Sequence, residues 1–249
     1  ALVPDQKGGG MHFLDDEGER GGDVWPAALA MENFAPEFDL KTSESCQVRR
    51  LLARVEQYDR TTWLMQYESF LQQALCVVRS DSTSRRFGLL HADMQGFQVL
   101  NRIYGERAGN SMLRAFAAFL RRREEYVCGS RIFADRFVVL FAIPDGYSLQ
   151  AITDKIVAEG EQFLAEKRRL HPRSHLAFVG GVCPVEGRPE SLHSLVTRAD
   201  QARRSLKPTL RSRGGVFTEA MEICRLQRQS LYEDVTKALE HGGVFFLLQ

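Results

Sequence analysis

Two aspartates stand where strands would hand over to turns. Asp93 closes the apolar run FGLLHAD (87–93). Asp135 lies in FADRF (133–137), a short break between apolar segments of SRIFADRFVVLF (130–141). If the strands that end there are neighbours in a sheet, both carboxylates face one edge. Their oxygens would suit Mg²⁺, which takes a few carboxylates plus substrate phosphates rather than an all-protein cage. Met94, Gln95 and Gly96 follow Asp93, and a helical pattern starts at Phe97. A glycine-bearing strand-to-helix turn leaves N–H groups unpaired at a helix N-terminus. The amides of Gln95, Gly96 and Phe97 are therefore candidate phosphate donors. Residue types alone leave a plainer alternative, in which Asp93 ends a strand and Asp135 forms a turn.

Several elements must position these groups. SESCQVRRLLARVEQYDR (43–60) offers Ser43 as an N-cap and Val48, Leu51, Leu52 and Val55 at helical spacing, so a connector helix is expected over 43–57. TTWLMQYESFLQQALCVVR (61–79) predicts a second helix with Leu64, Tyr67, Phe70, Leu71, Ala74 and Leu75 on one side. After the strand ending at Asp93, FQVLNRIYG predicts a helix and ERAG a break. NSMLRAFAAFLRRREE then predicts a helix capped by Asn110 or Ser111, with Met112, Leu113, Phe116, Phe119 and Leu120 buried. Past the strand–turn–strand around Asp135, LQAITDKIVAEGEQFLAEKRRL (149–170) is helical, HLAFVGGVCPV (175–185) a strand, SLHSLVTRADQARRSLK (191–207) a helix and GGVFTEA (214–220) a short strand. Helices alternating with strands around a central hairpin predict an α/β sandwich on a mixed sheet. Residues 1–42 are rich in Gly, Asp and Glu; GGGMHFLDDEGERGGDVW within them reads equally as a hairpin or as a linker.

The composition excludes some classes of function. The chain has 249 residues, 44% apolar and 26% charged, with a formal net charge of +1, so no basic surface for a nucleic acid polymer is expected. Five cysteines are scattered without a CxxC pair, which fits a reducing cytoplasm better than a disulfide framework or a metal knuckle. The longest apolar run, Phe137 to Ile143, is far short of a membrane span, and no signal-peptide pattern opens the chain. His171 and His175 are separated by Pro172, which spoils a helical metal pair. A start without Met and an end within VFFLLQ fit a piece of a longer protein.

These segments, in their order, resemble the GGDEF family of diguanylate cyclases, which make cyclic di-GMP from two GTP. YDRTTWLMQYESF resembles the family's D-x-L-T-G-L-x-N-R-x-x-F, and ADMQGFQVLNRIYGERAGNSML its D-x-D-x-F-K-x-x-N-D-x-x-G-H-x-x-G-D-x-L-L. RIFADRF takes the place of R-x-G-G-D-E-F, LAFVGGV resembles S-x-G-x-A, and RADQARRSLK resembles A-D-x-A-L-Y-x-A-K. The resemblance implies an adenylyl-cyclase-like palm. That is an α/β (α+β) fold with a central, mixed but antiparallel-rich sheet wrapped by helices and the signature on a β-hairpin. It assigns metal-binding places to Asp93, the Met94 carbonyl and Asp135, and nucleotide contacts to Gln95, Gly96, Phe97, Asn101, Asn110, Lys207 and Arg211.

The departures from the family pattern bear on activity. The signature glycines are Phe133 and Ala134, its Glu is Arg136, and Asp135 and Phe137 alone are retained. Glycine permits positive φ and close approach of a ligand; phenylalanine strains the first and its ring fills the space for the second. Asn110 replaces the Asp that reads guanine, and an amide oxygen accepts more weakly than a carboxylate. Gln95 replaces the second carboxylate of D-x-D, Gln66-Tyr67 replace Asn-Arg, and Glu124 and Val127 stand where the product-inhibition R-x-x-D would be. RQSLYEDVTKALEHGGVFFLLQ (228–249) resembles the first helix and strand of an EAL domain, the phosphodiesterase partner often fused behind GGDEF domains. The expectation is an N-terminal extension over 1–42, the connector helix, a degenerate GGDEF domain over 58–217 and a truncated EAL start over 218–249. The domain would be regulatory, with weak GTP binding, homodimerisation and relay to an EAL domain. An active cyclase and a ligand-free scaffold are the alternatives.

Overall fold

The computed structural model describes residues 2–4, 11–13, 57–83, 85–187, 189, 191–207 and 209–240. The chain forms two compact units, Ala1–Leu51 and Leu52–Gln249. In the first, β1 (Leu2–Pro4) pairs antiparallel with β2 (Met11–Phe13), Leu2 opposite Phe13. Met11–Phe13 falls within the segment that reads equally as a hairpin or a linker, and its pairing partner lies upstream of that segment. The connector helix over 43–57 falls outside the described residues except for Gln57, which lies in a turn, and so does the strand expected near the C-terminus.

The second unit holds α1 (Tyr67–Ser80), β3 (Arg86–Gln95), α2 (Phe97–Arg121), β4 (Tyr126–Phe133), β5 (Arg136–Ile143), α3 (Leu149–Leu170), β6 (Ala177–Val185), α4 (His193–Ser205), β7 (Arg213–Val216) and α5 (Glu219–Glu240). Its five strands form one sheet in the order β4–β5–β3–β6–β7, antiparallel except for the parallel β6–β7 pair. The sheet is covered on both faces, which is why the middle strand β3 reads as an apolar run and not as an alternation. Leu90, Ala92 and Met94 point into a core shared with α2 and α3, built around Phe116, Phe137 and Phe178. Phe87 and Leu89 point into the opposite core, shared with α1 and α4. Asp93 has the same parity as Leu89, so it faces the α4 side.

Two helices differ from their sequence patterns. The first begins at Tyr67, not Thr61, because the preceding residues dock on the edge of the sheet. Asp59 accepts hydrogen bonds from the Thr62 amide at 2.8 Å and the Thr62 hydroxyl at 2.7 Å, and the Met65 amide donates to the Gly129 carbonyl at 3.1 Å. The second difference is that no ERAG loop separates two helices. α2 is interrupted at one residue, Gly105, with φ 81° and ψ 169°, a region open essentially to glycine. Helix resumes at once, so Asn110 and Ser111 lie inside it and neither is a cap. α3 has the expected limits, with the Ser148 hydroxyl accepting from the Ala151 amide at 3.1 Å. α5 buries no residue among those described.

Candidate functional site

β3 and β5 are hydrogen-bonded neighbours, with Asp93 opposite Arg136. That adjacency brings Asp93 to the hairpin turn where Asp135 sits. The Asp135 acid is pushed up to about 6, first by burial and then by the charge of Asp93. Gly96 then turns the chain into α2. Its φ is 89°, and a Cβ there would lie 2.5 Å from the His175 carbonyl oxygen, so conformation and space both demand glycine. As at any helix start, the first amides of α2 have no partner within the helix.

The turn itself is a tight two-residue link, with Phe133 opposite Arg136 across it. Ala134 takes φ 49°, a left-handed conformation at the first central position, where such turns prefer glycine. The strain therefore falls on Ala134 and not on Phe133, correcting the expectation. The Phe133 ring is 72% exposed, so it does not fill the space between the carboxylates. Arg131 holds the turn: its Nε donates to the Ala134 carbonyl at 2.6 Å, and its Nη1 lies 3.4 Å from Asp59. Replacing Ala134 with glycine is expected to raise the unfolding free energy by roughly 1 kcal/mol through relief of the left-handed backbone. A denaturant midpoint that stays put would show that the turn is unstrained.

The remaining predicted residues lie on β3, on α2, on β5 and in the segment after α4. Asn110 is exposed on α2, and Lys207 and Arg211 are exposed beyond α4. Asn101 turns its Oδ1 inward without a hydrogen-bond partner, against Gly109, where a Cβ would lie 1.8 Å from that oxygen. Gln95 accepts a hydrogen bond from Arg213 Nη1 at 3.1 Å. Phe97 and Phe137 are core residues. Met94 lies in β3 opposite Phe178, with its side chain in the α2–α3 core. Glu124 is exposed before β4, and Val127 lies within that strand.

Three residues that sequence reading passed over complete the corner. Arg203 Nη1 donates to Asp93 Oδ2 at 2.6 Å, while its Nε and Nη2 donate to Asp200 Oδ1 at 2.9 and 2.6 Å. His91 Nε2 lies 3.7 Å from Asp200. Burial, reinforced by Arg203, Arg136 and Arg204, pulls the His91 imidazole down to about 4 against the attraction of Asp200, so it is neutral at pH 7. The donor set does not fit a divalent ion in this arrangement. Two carboxylates face one corner, but Asp93 is already bound by a fixed guanidinium.

The family model described as "Diguanylate cyclase, GGDEF domain" matches residues 56–213. The chain belongs to the GGDEF family. A curated relative is the bifunctional diguanylate cyclase/cyclic di-GMP phosphodiesterase MucR of Pseudomonas aeruginosa, 26% identical over 176 residues, 70% of this chain. The chain spans 24% of that relative's length. Among solved structures, the GGDEF domain of TpbB (YfiN) from Pseudomonas aeruginosa matches with a TM-score of 0.51 at 18% identity, covering 68% of this chain and 99% of that one. The S helix–GGDEF–EAL portion of Vibrio cholerae LapD, bound to cyclic di-GMP, matches with a TM-score of 0.50 at 15% identity over 76% of this chain and 45% of that one. These likenesses give the GGDEF α/β fold with its five-stranded mixed sheet.

Against the GGDEF motifs, the missed residues had a signal. In A-D-x-A-L-Y-x-A-K, Arg203 stands at the Leu and Arg204 at the Tyr. A cation at an apolar motif position facing the sheet needs an anion, and Asp93 supplies it. Trp63 stands at the Gly of D-x-L-T-G-L with φ 55°, so two motif glycine positions, Trp63 and Ala134, carry positive φ here without glycine.

Proposed function

We propose that this chain carries a non-cyclising GGDEF domain, a cytoplasmic regulatory module of cyclic di-GMP signalling that relays to an EAL domain. The observation that supports this best is the signature turn. Ala134 holds a left-handed backbone in place of glycine, and Arg136 replaces the Glu next to Asp135. Phosphoryl transfer depends on positioning the reacting phosphate and neutralising its charge. Here one of the two carboxylates that would gather cations is already committed, Asp93 to Arg203. Among the described residues no helix is long and apolar enough to cross a membrane. Dimerisation and an EAL partner belong to the same proposal; the bifunctional cyclase/phosphodiesterase character of the Pseudomonas relative and the helix α5 running on from the domain support the second.

Residual GTP binding is part of the reading, because the α2 N-terminus persists. Losing the guanine-reading carboxylate costs roughly 1.5–3 kcal/mol, about one to two decades of affinity. The test is incubation of the purified chain with GTP and Mg²⁺, with no cyclic di-GMP expected. Metal-dependent product that disappears in Asp135→Ala would overturn the proposal. Calorimetry should detect weak GTP binding, and silence in both the native chain and Phe133→Gly/Ala134→Gly would reduce the domain to a scaffold.

A further inference from the structure

We propose that Arg203 is the resident cation of this corner, holding Asp93 in the place of a divalent metal ion, so that the domain takes no Mg²⁺ there. The inference rests on Asp93 and Asp135 being the metal corner of the GGDEF domain, and it concerns metal binding without nucleotide.

The geometry is that of a built contact. The guanidinium bridges two carboxylates on two elements, Asp93 on β3 and Asp200 on α4, using three of its nitrogens at 2.6–2.9 Å. Charge-assisted bonds of this length are the strong ones, and a planar fork loses little on forming several at once. The Arg203 side chain is 10% exposed and that of Asp93 19%, so water screens the pair weakly. Asp200 is further held by Arg204 Nε at 2.7 Å.

The backbone cannot carry the guanidinium away. α4 lies so close on β6 at Gly181 that a Cβ there would be 2.3 Å from the Arg203 amide nitrogen and 2.0 Å from the Ala199 carbonyl oxygen. Nor can deprotonation free Asp93, because a guanidinium stays charged. Mg²⁺ demands near-octahedral oxygen donors at about 2.0–2.1 Å. Asp93 Oδ2 is already bonded, and the charges of Arg136 and Arg213 also act on this corner. A divalent ion would enter against three guanidinium groups, with one of the two carboxylates already bonded.

The experiment titrates the whole chain with Mn²⁺ in the absence of nucleotide and counts free ion by electron paramagnetic resonance. Native protein should bind none through the millimolar range, and Mn²⁺ should leave its Tm unchanged. Arg203→Leu should lose about 5 °C in Tm, since an anion is left half-buried without its partner. It should gain one Mn²⁺ site per chain that restores part of the loss, and Asp93→Asn in that background should remove the site. Arg203→Gln, which keeps a hydrogen bond without the charge, replaces the Leu variant if that variant does not fold. Native protein that binds Mn²⁺ tightly through Asp93 would overturn the inference. A folded, uncharged variant that gains no site would also overturn it. Product formation from GTP would instead sink the functional proposal, so the two failures are distinguishable.

Discussion

Phe116→Ala is expected to lower the unfolding free energy by about 3–5 kcal/mol, a large part of the roughly 5–15 kcal/mol that holds a domain folded. Phe116 is fully buried on α2 at the centre of an aromatic group. Its ring lies 5.0 Å from that of Phe137 in an edge-to-face arrangement and 6.0 Å from those of Phe163 and Phe178. These partners come from β5, α3 and β6, so the cavity would open where three elements meet the helix and none can collapse alone. Phe137 closes the signature turn on its core side, so a loosened Phe116 site reaches the candidate site through one contact. Phe119→Ala is the comparison. Phe119 stacks on Phe163 at 5.0 Å but is only partly buried, and its loss should cost distinctly less. Urea unfolding of the three proteins checks this; a Phe116→Ala cost no greater than that of Phe119→Ala would show that the aromatic group does not organise the core.

Gly181→Val is expected to cost about 3 kcal/mol or more, or to prevent folding. The atoms that its Cβ would meet are backbone: the Ala199 carbonyl oxygen at 2.0 Å and the Arg203 nitrogen at 2.3 Å. No rotamer change relieves such a clash, so α4 must lift from β6, and the Arg203–Asp93 contact must lengthen with it. The neighbouring Gly180→Ala provides the contrast. A Cβ there meets side-chain atoms, Phe178 Cε1 at 2.9 Å and Leu90 Cδ1 at 3.1 Å, which can shift. Thermal unfolding should rank Gly181→Val far below Gly180→Ala, and equal Tm values would show that α4 does not depend on the close approach.

The local patterns of this chain are legible because they are set by short-range chemistry. The 22 residues of α3 have the helical limits that their periodicity predicts, with Ser148 as cap. β3 reads as a buried strand because its residues are apolar on both faces, and the glycine after it marks the turn into α2. Where local signals compete, sequence reading fails in identifiable ways. Asn110 and Ser111 are good caps, but Gly105 breaks the helix in a single residue, and helix resuming directly after it leaves both inside. Thr61 to Gln66 have helical spacing, yet Asp59 and the edge of β4 offer their amides better partners.

The sequence by itself determined the element types, the family pattern, and the substitutions at Phe133, Ala134, Arg136 and Asn110. Only the tertiary structure decided what those substitutions meet. Asp93 and Asp135 converge because β3 and β5 pair, a contact between residues far apart in the chain that local periodicity does not specify. Positive φ falls on Ala134 because the strand register places it first in the turn, which leaves the Phe133 ring outside the site. Arg203 is separated from Asp93 by 110 positions. Along the chain it is one more cation near a helix end, where exposed positive charge is ordinary. Packing of α4 on Gly181 turns it to the sheet, and burial then makes its charge consequential. A guanidinium removed from water must find a carboxylate, and the fold puts Asp93 within its reach.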